Sequence, residues 1–404
     1  MVGLDIGTTK ICTIVAEVSG EGVVNIVGVG SSPSRGLRKG VVVDIESTVE
    51  SIKKAVDDAA LMAGAEINSV WTGIAGSHIS GVRSRGVVAL KKQEVTRADV
   101  QRAVEAAHSR AVLEPDRRLL HVIPREFIVD DQDGIHEPLG MSGARLEVDV
   151  HIITGAVTSA QNIIKSVNRA GLDVVDIVLQ PLASSEAVLS QEERELGVAM
   201  VDLGGGTTDL AIFVDGSIHH TAILPIGGQN LTKDIAIGLL TSPTEAERIK
   251  IKQGIARVDL VKEDELVDVP AVGDRPGRTV SRREVAEIIE PRVEEMFDLV
   301  RREIMLNGYE GMLGAGVVIT GGTSMLEGMP DAAEGVLDLP ARRGAPHGVE
   351  GLRDIAGTPM HATAVGLILH ACHHAGKLET GGLRGSRRVG KVFGRMREWM
   401  LEFF

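Results

Sequence analysis

The chain reads as an α/β protein made of two related halves, with a small α+β subdomain inserted in the first. Three observations predict this. One short pattern occurs twice, as Leu4-Asp5-Ile6-Gly7-Thr8-Thr9-Lys10 and as Val201-Asp202-Leu203-Gly204-Gly205-Gly206-Thr207-Thr208-Asp209. Each copy opens the same run of three strands, which points to duplication. Between the copies, from about Val82, the chain changes character and alternates as a half-buried sheet does.

In each copy an apolar strand ends at an Asp, turns through Gly and Thr, and re-enters an apolar strand, Ile11–Val18 or Leu210–Val214. That is a β-hairpin with no bulky side chain at its tip. Gly lets the backbone turn tightly and bring its N–H groups close to an anion. The Thr hydroxyls add donors, and an Asp at the strand end can hold a hydrated Mg²⁺. Two such tips suggest paired halves that grip a polyphosphate from opposite sides.

The elements follow in order. Strands are expected at Val2–Asp5, Lys10–Val18 and Val23–Gly30, then a loop rich in Ser, Pro and Gly over Ser31–Gly40. Val49, Ile52, Val56, Ala59 and Ala60 give Glu46–Ala63 a helical period, and Val70–Ala75 is a short buried strand. Val82–Leu90 reads as a strand. Thr96 and Asp99 form a capping box that opens the helix Ala98–Arg110. Leu119–Val129 and Arg145–Ile153 are further strands. The second alternates cleanly, with Leu146, Val148, Val150 and Ile152 on one face and Arg145, Glu147, Asp149 and His151 on the other, so the polar face is expected in water.

Helix Ser159–Ala170, strand Leu172–Gln180 and helix Ala183–Ser190 return to α/β style. The second three-strand unit is Gly197–Asp202, Asp209–Val214 and Ser217–Leu224. Helices are expected at Gln229–Leu240, Pro243–Gln253, Ser281–Leu306 and Thr358–Ala375, with loops and short strands over Val258–Arg278 and a strand at Ala315–Thr320. The boundaries expected are 1–81 with 155–190 for the first core, 82–154 for the insert, and 191–227 with 307–375 for the second core. A smaller subdomain (228–306), a flexible linker (376–386) and a terminal helix (387–404) complete the division.

Bulk composition bounds the function. The chain has 404 residues, 43% of them hydrophobic, enough for several cores. A net charge of -13 argues against a nucleic-acid partner. With only Cys12 and Cys372 there is no disulfide framework, so a reducing cytosol is expected. Met1 leads straight into a strand, so no signal peptide is expected, and no apolar run is long enough to span a bilayer.

The order of segments resembles the actin/Hsp70/sugar-kinase ATPase superfamily at five places. These are the first hairpin, the segment Gln180-Pro181-Leu182-Ala183-Ser184-Ser185, the second hairpin, the turn Val318-Ile319-Thr320-Gly321-Gly322-Thr323 and the helix start Ala362-Thr363-Ala364-Val365-Gly366. Within it the chain is similar to the bacterial cell-division family FtsA. That likeness rests on Gly28-Val29-Gly30-Ser31-Ser32-Pro33-Ser34-Arg35-Gly36, Leu120-His121-Val122-Ile123-Pro124, Glu193-Arg194-Glu195-Leu196-Gly197, Ala364-Val365-Gly366-Leu367 and the place of the insert.

The resemblance implies an actin-like ATPase fold that binds ATP in a cleft between the halves. It puts the phosphates between Gly7, Thr8, Thr9, Lys10 and Gly204, Gly205, Gly206, Thr207, Thr208. Asp5 and Asp202 would face one hydrated Mg²⁺, and Lys10 either adds charge or points to solvent. Gln180 stands where such proteins orient a water, or is simply a polar strand end. Gly321, Gly322 and Thr323 would leave room for adenosine. Glu247 and Lys250 would touch ribose or adenine, unless they form a solvated helix face. Gly227, Gly228 and Lys233 are further candidates near the phosphates.

Two other readings of single features are weaker. Aspartic proteases pair two Asp, but in Asp-Thr/Ser-Gly, whereas here an apolar residue follows each Asp. His370, Cys372, His373 and His374 could hold a metal, but the helix is apolar and a packed helix end fits better.

The tail is distinct. Val389, Val392, Phe393, Met396, Trp399, Met400, Phe403 and Phe404 recur at three- and four-residue spacing, beside Arg387, Arg388, Lys391, Arg395 and Arg397. A short basic helix of this kind lies in the interface of an anionic membrane rather than across it.

The family likeness then implies a peripheral protein on the cytoplasmic face of the bacterial membrane at the division site. It would assemble into filaments and tether the tubulin-like FtsZ, whose C-terminal peptide docks on 228–306, where Arg282, Arg283 and Arg292 lie. Later division proteins would meet the insert. ATP hydrolysis, if any, would be slow. The alternative on the same fold is a small-molecule (sugar-type) kinase. An Hsp70-like chaperone would need a large peptide-binding domain after the last helix, and only a short segment follows it.

Overall fold

The computed structural model describes residues 1–378 apart from 21, 112–113, 263–264 and 272–275, and the backbone alone of 374–378. The first half opens with β1 (Val2–Ile6), β2 (Lys10–Val18) and β3 (Val24–Pro33), so the third strand runs into the expected loop. A small hairpin, β4 (Leu37–Arg38) and β5 (Val41–Val42), leads to α1 (Ile45–Ala63). Asp44 caps that helix by accepting the Ser47 N–H at 3.2 Å. β6 (Ser69–Ile74) then precedes the insert.

The insert is β7 (Ser80–Ala89), α2 (Arg97–Arg110), β8 (Arg117–Val129), β9 (Gln132–Ile135) and β10 (Arg145–Ala156). Its sheet has the order β7-β10-β8-β9. The capping box of Thr96 and Asp99 opens α2 as its spacing predicts. Next come α3 (Val157–Arg169), β11 (Asp173–Leu179), α4 (Gln180–Val188) and α5 (Gln191–Leu196).

The second half repeats the design with β12 (Val198–Leu203), β13 (Thr208–Val214) and β14 (Ser217–Leu224). It continues through α6 (Gly228–Gly238), α7 (Pro243–Gln253), β15 (Leu266–Val269), β16 (Arg278–Ser281) and α8 (Arg282–Leu306). Last are β17 (Val317–Thr320), α9 (Met329–Leu337), β18 (Ala341–Arg343), β19 (Val349–Gly351), α10 (Arg353–Ala356) and α11 (Ala362–Leu378).

The main sheets have the orders β11-β6-β1-β2-β3-β19 and β14-β13-β12-β17-β18. In both, the hairpin's first strand pairs antiparallel with its second and parallel with a strand arriving from elsewhere. Their central strands are apolar throughout because helices cover both faces. α4 and α11 lie between the sheets, in one core that joins Ile14 and Ile26 to Met200, Phe213 and Ile368. Gly366 lets those helices touch, since a Cβ there would strike the Ala183 carbonyl.

Three expectations need correcting. The segment 307–375 is divided between the two cores, with β17 and β18 in the second sheet. β19 joins the first sheet beside β3, and α11 packs on β1, β2 and β6. The polar face of β10 is only partly in water: Arg145 is exposed, but Asp149 and His151 are buried where β14 covers the insert's sheet. α11 runs to Leu378, past the expected start of the linker at 376. The remaining linker and the segment 387–404, with Val392, Phe393, Met396, Trp399, Met400, Phe403 and Phe404, lie outside the described residues. Among the described residues no helix is long and apolar enough to cross a membrane.

Candidate functional site

The two hairpins have the same geometry. Asp5 pairs with Cys12 and Ile6 with Ile11; Asp202 pairs with Asp209 and Leu203 with Thr208. Four tip residues remain in each. In both, the first tip N–H closes the turn at 3.0 Å, Gly7 onto the Lys10 carbonyl and Gly204 onto the Thr207 carbonyl. Thr8 and Thr9 therefore correspond to Gly205 and Gly206, and Lys10 to Thr207. Among the described residues the N–H groups of Thr8, Thr9, Gly205 and Gly206 have no protein acceptor, which leaves them for an anion.

The tips face each other across a cleft of about 440 Å³ between the halves. They are close. A Cβ on Gly206 would lie 2.6 Å from the Thr8 hydroxyl, and one on Gly205 would run into Thr9. Lys10 does not point to solvent. Its Nζ donates to the Met360 carbonyl at 2.6 Å and so ties the first hairpin to the opposite wall.

Three carboxylates stand below the tips. Burial lifts Asp5 to about 7, against the pull of Lys10 and with a push from Asp202. Burial also raises Asp202, although the Ser184 and Thr363 hydroxyls donate to its Oδ2 at 2.7 and 3.3 Å. Asp209 is held well above the carboxylate range by burial and by Asp202, and its Oδ1 has no hydrogen-bond partner. Gathered buried acids, one of them with an unpartnered oxygen, fit a place for a cation. Among the described residues no set of three such groups is close enough to ligate a metal directly, so a cation here would be held partly through water.

Gln180 is the first residue of α4, not the end of β11, and its Nε2 donates to Asp5 Oδ1 at 3.0 Å. Gly73 on β6 leaves the space that its side chain fills. Leu231, Ile251, Met325, Leu326 and Met360 add an apolar lining to the cleft, suited to a flat ring. Glu247 and Lys250 line it too, and both are engaged. Lys250 Nζ donates to Glu247 at 2.8 Å, the Thr232 hydroxyl at 2.9 Å and the Gly228 carbonyl at 3.1 Å.

The candidates are not all brought together. Asp5, Gly7, Thr8, Thr9, Lys10, Gln180, Asp202, Gly204, Gly205, Gly206, Thr207, Glu247, Lys250, Gly321, Gly322 and Thr323 line one cleft. Thr208 does not. It is buried, with its hydroxyl on the Ile226 carbonyl at 2.9 Å. Gly227 and Gly228 lie behind the second hairpin, where the Gly228 N–H donates to the Gly204 carbonyl at 2.9 Å. Lys233 lines an adjoining, more open depression with Gln229 and Ala236, whose wall shares Thr8, Thr9 and Glu247 with the cleft. Gly321, at φ +84°, makes room for the Asp202 carboxylate, and the Thr323 hydroxyl braces Gly204 at 2.9 Å. Only Gly322 of these three faces open space.

Ser184 and Thr363 were not among the sequence candidates, though they stand in the two connecting segments. On α11 His370 is buried and His373 is exposed. His370 meets Trp71 edge-on at 6.2 Å, and His373 lies 3.4 Å from Glu186. On the small subdomain Arg282 bonds Glu265 and Glu327, and Arg292 bonds Asp234 and Glu295, whereas Arg283 has one exposed pair with Glu287.

Comparison with known proteins bears on both the insert and the core. A family profile described as cell division protein FtsA matches residues 199–366, and one described as the SHS2 domain inserted in FTSA matches residues 76–154. The chain is similar to the cell division protein FtsA of Pseudomonas aeruginosa, 50% identical over 92% of this chain and 88% of that protein. It is similar to those of Neisseria meningitidis (45%, over 99% and 98%) and Escherichia coli (43%, over 100% and 98%). Among solved structures it is similar to a PilM-PilN type IV pilus biogenesis complex, with TM-score 0.67, 18% identity and coverage of 92% and 98%. MreB5 of Spiroplasma citri bound to ADP gives TM-score 0.57 and 14% identity over 94% and 98%. The structural likenesses show the fold, which is the expected actin-like one.

Proposed function

The chain belongs to the FtsA family of cell division proteins, and from that premise we propose that it binds ATP, assembles on the cytoplasmic face of the bacterial membrane at the division site and tethers the FtsZ ring there. The observation that carries the nucleotide part is the facing pair of hairpins of equal length, with unengaged N–H groups at the tips and Asp5 and Asp202 at the bases.

The tips would hold the phosphates through the N–H groups of Thr8, Thr9, Gly205 and Gly206. Lys10 would exchange its carbonyl partner for phosphate oxygen. Asp5 and Asp202 would hold a hydrated Mg²⁺, whose charge offsets that of the phosphates. Ser184 and Thr363 fix the Asp202 carboxylate from behind. Gln180 is bonded to Asp5, so its amide holds the carboxylate before it can orient a water. This favours ATP as a clamp between the halves, with slow hydrolysis at most. A sugar-type kinase would need a free carboxylate base. Glu247 and Glu327 in the cleft wall are paired with Lys250 and Arg282 instead.

The tether reading rests on the tail sequence, whose aromatic and basic residues recur at helical spacing. One such helix binds weakly, so attachment would depend on many copies in a filament. On 228–306 the arginines are largely spent within the subdomain. An FtsZ peptide would therefore meet Arg283 and the exposed Ile237 and Leu266. Later division proteins would meet the insert.

One experiment tests the parts together. Full-length protein is sedimented with anionic vesicles, with and without ATP and Mg²⁺, beside a truncation that ends at Gly381. Binding of the full chain alone, strengthened by ATP, supports the reading. Equal binding by the truncation would sink the tether, and indifference to ATP would sink the link between nucleotide and assembly.

A further inference from the structure

The insert is hydrogen bonded to both halves of the molecule, close to both walls of the cleft. On the first half, buried His121 of β8 accepts the Leu179 N–H on Nε2 at 3.0 Å. Leu179 precedes Gln180, which holds Asp5. On the second half, His151 of β10 meets the Thr221 hydroxyl at 3.0 Å, and Arg125 of β8 meets His219 Nδ1. Thr221 and His219 lie on β14, which pairs with β13, the strand that carries Asp209.

The chemistry of the second contact is unusual for a permanent interface. Asp149 is fully buried and paired with Arg83 and Arg125, yet its Oδ1 and the Arg125 Nε have no partner. Burial, above all, takes His151 to about 3 and His219 to about 4, so both are neutral. Behind β14, Tyr309 donates to the His219 carbonyl at 3.2 Å and His220 meets Glu303 at 2.9 Å. Neutral imidazoles and an incompletely satisfied ion pair fix a geometry well but adhere less than an apolar seam of the same size. The contact is built to hold one position and to let go.

We propose that the insert is a strut between the halves, coupling the width of the cleft to its own seat on β14. Seated, it holds the halves as they stand here, with Gly205 and Gly206 against Thr9 and Thr8. Unseated, it frees the second half to swing away and the nucleotide to exchange. A protein that pulls on the insert thereby acts on the cleft. The proposal rests on the cleft binding a nucleotide.

The test uses the full chain and two variants, Thr221→Val and His219→Leu. Two quantities are read: the release rate of a fluorescent ADP analogue, and amide hydrogen exchange at Leu179 and along β14. Either variant is expected to speed release roughly fivefold, the worth of one buried hydrogen bond. Exchange should quicken at β14 and also at Leu179, across the insert. Unchanged release from both variants overturns the strut. If the wild-type protein does not bind the analogue, the nucleotide reading has failed, and the strut is judged by Leu179 alone. Faster exchange there in a β14 variant supports it, and unchanged exchange overturns it.

Discussion

Cys12 and Asp209 occupy the same position of the two hairpins, each directly across from the Asp that ends the preceding strand. The two halves thus differ in the group set against that Asp. The first hairpin buries a thiol there, pushed up to about 12 by burial, and the second buries a carboxyl whose Oδ1 has no partner. An uncompensated buried acid is costly once ionised. Asp209→Asn is expected to match or exceed the wild type in thermal stability near pH 8 without nucleotide. Cys12→Asp, which adds an acid beside Asp5, should lose a few kcal/mol, on the order expected for an unpaired buried charge. Thermal unfolding of both variants checks this, and a destabilised Asp209→Asn would refute it.

Asp5 makes the empty protein sensitive to pH. Its carboxyl sits near 3.8 when unperturbed and at about 7 in the fold. The folded chain holds this proton more tightly than the unfolded chain, so stability falls as pH rises across that window. Above pH 7 the loss is complete, at most about 4 kcal/mol. Asp5→Asn should remove this part of the pH slope, being close to wild type at pH 4 and more stable at pH 8. Magnesium with nucleotide should flatten the wild-type slope as well, since a bound cation favours the carboxylate. Denaturant titrations at several pH values give the comparison.

Ser184 is expected to matter to the cleft although it faces no opening. Its hydroxyl is the nearer of two donors on Asp202. Ser184→Ala leaves one oxygen of a buried carboxylate with the longer Thr363 contact only, which costs about 1–3 kcal/mol. It also lets Asp202 rise further, so the deficit should widen with rising pH. Ser184→Thr keeps a donor and should recover part of the loss. Calorimetric unfolding of the pair at pH 6 and pH 8 separates the lost hydrogen bond from the shifted carboxyl.

The hairpins could be read from sequence because everything they need is local: an Asp at a strand end, glycines at the turn, a strand that returns. Adjacency within the motif was also what misled. Thr208 looks like Thr207 in the sequence, but it is one residue into β13 and faces the Ile226 carbonyl. The register also aligns Lys10 with Thr207, which matching the Thr pairs would have missed. Ser184 and Thr363 carry no local signal, because a small hydroxyl on a helix gains a role only when two helices cross below a carboxylate. The polar face of β10 was legible as polar but not as buried. Alternation is the same whether Asp149 and His151 meet water or another strand. β19, at three residues, is too short to announce a pairing made with β3 from the far end of the chain.

Gly206 offers the sharpest test of how far the cleft closes. A Cβ there would lie 2.6 Å from Thr8 Oγ1 and 2.7 Å from Thr8 Cγ2, too close for either side chain to stay in place. Thr8 cannot easily yield, because it is buried and its hydroxyl accepts the Gly40 N–H at 3.0 Å. Gly206→Ala should therefore act as a wedge that costs about 1–3 kcal/mol and keeps the tips apart. Gly311→Ala, away from the cleft, is the control, since its Cβ would meet nothing within 4 Å. Nucleotide stabilises the fold in proportion to its affinity, so the shift in Tm on adding ATP and Mg²⁺ reports closure. The shift should shrink in Gly206→Ala and persist in Gly311→Ala. Thr8→Gly in the Gly206→Ala background removes the clash from the other side and should restore part of the lost stability, even though it gives up a hydroxyl. A double variant no better than Gly206→Ala would mean that the tips do not close on each other in solution as they do here.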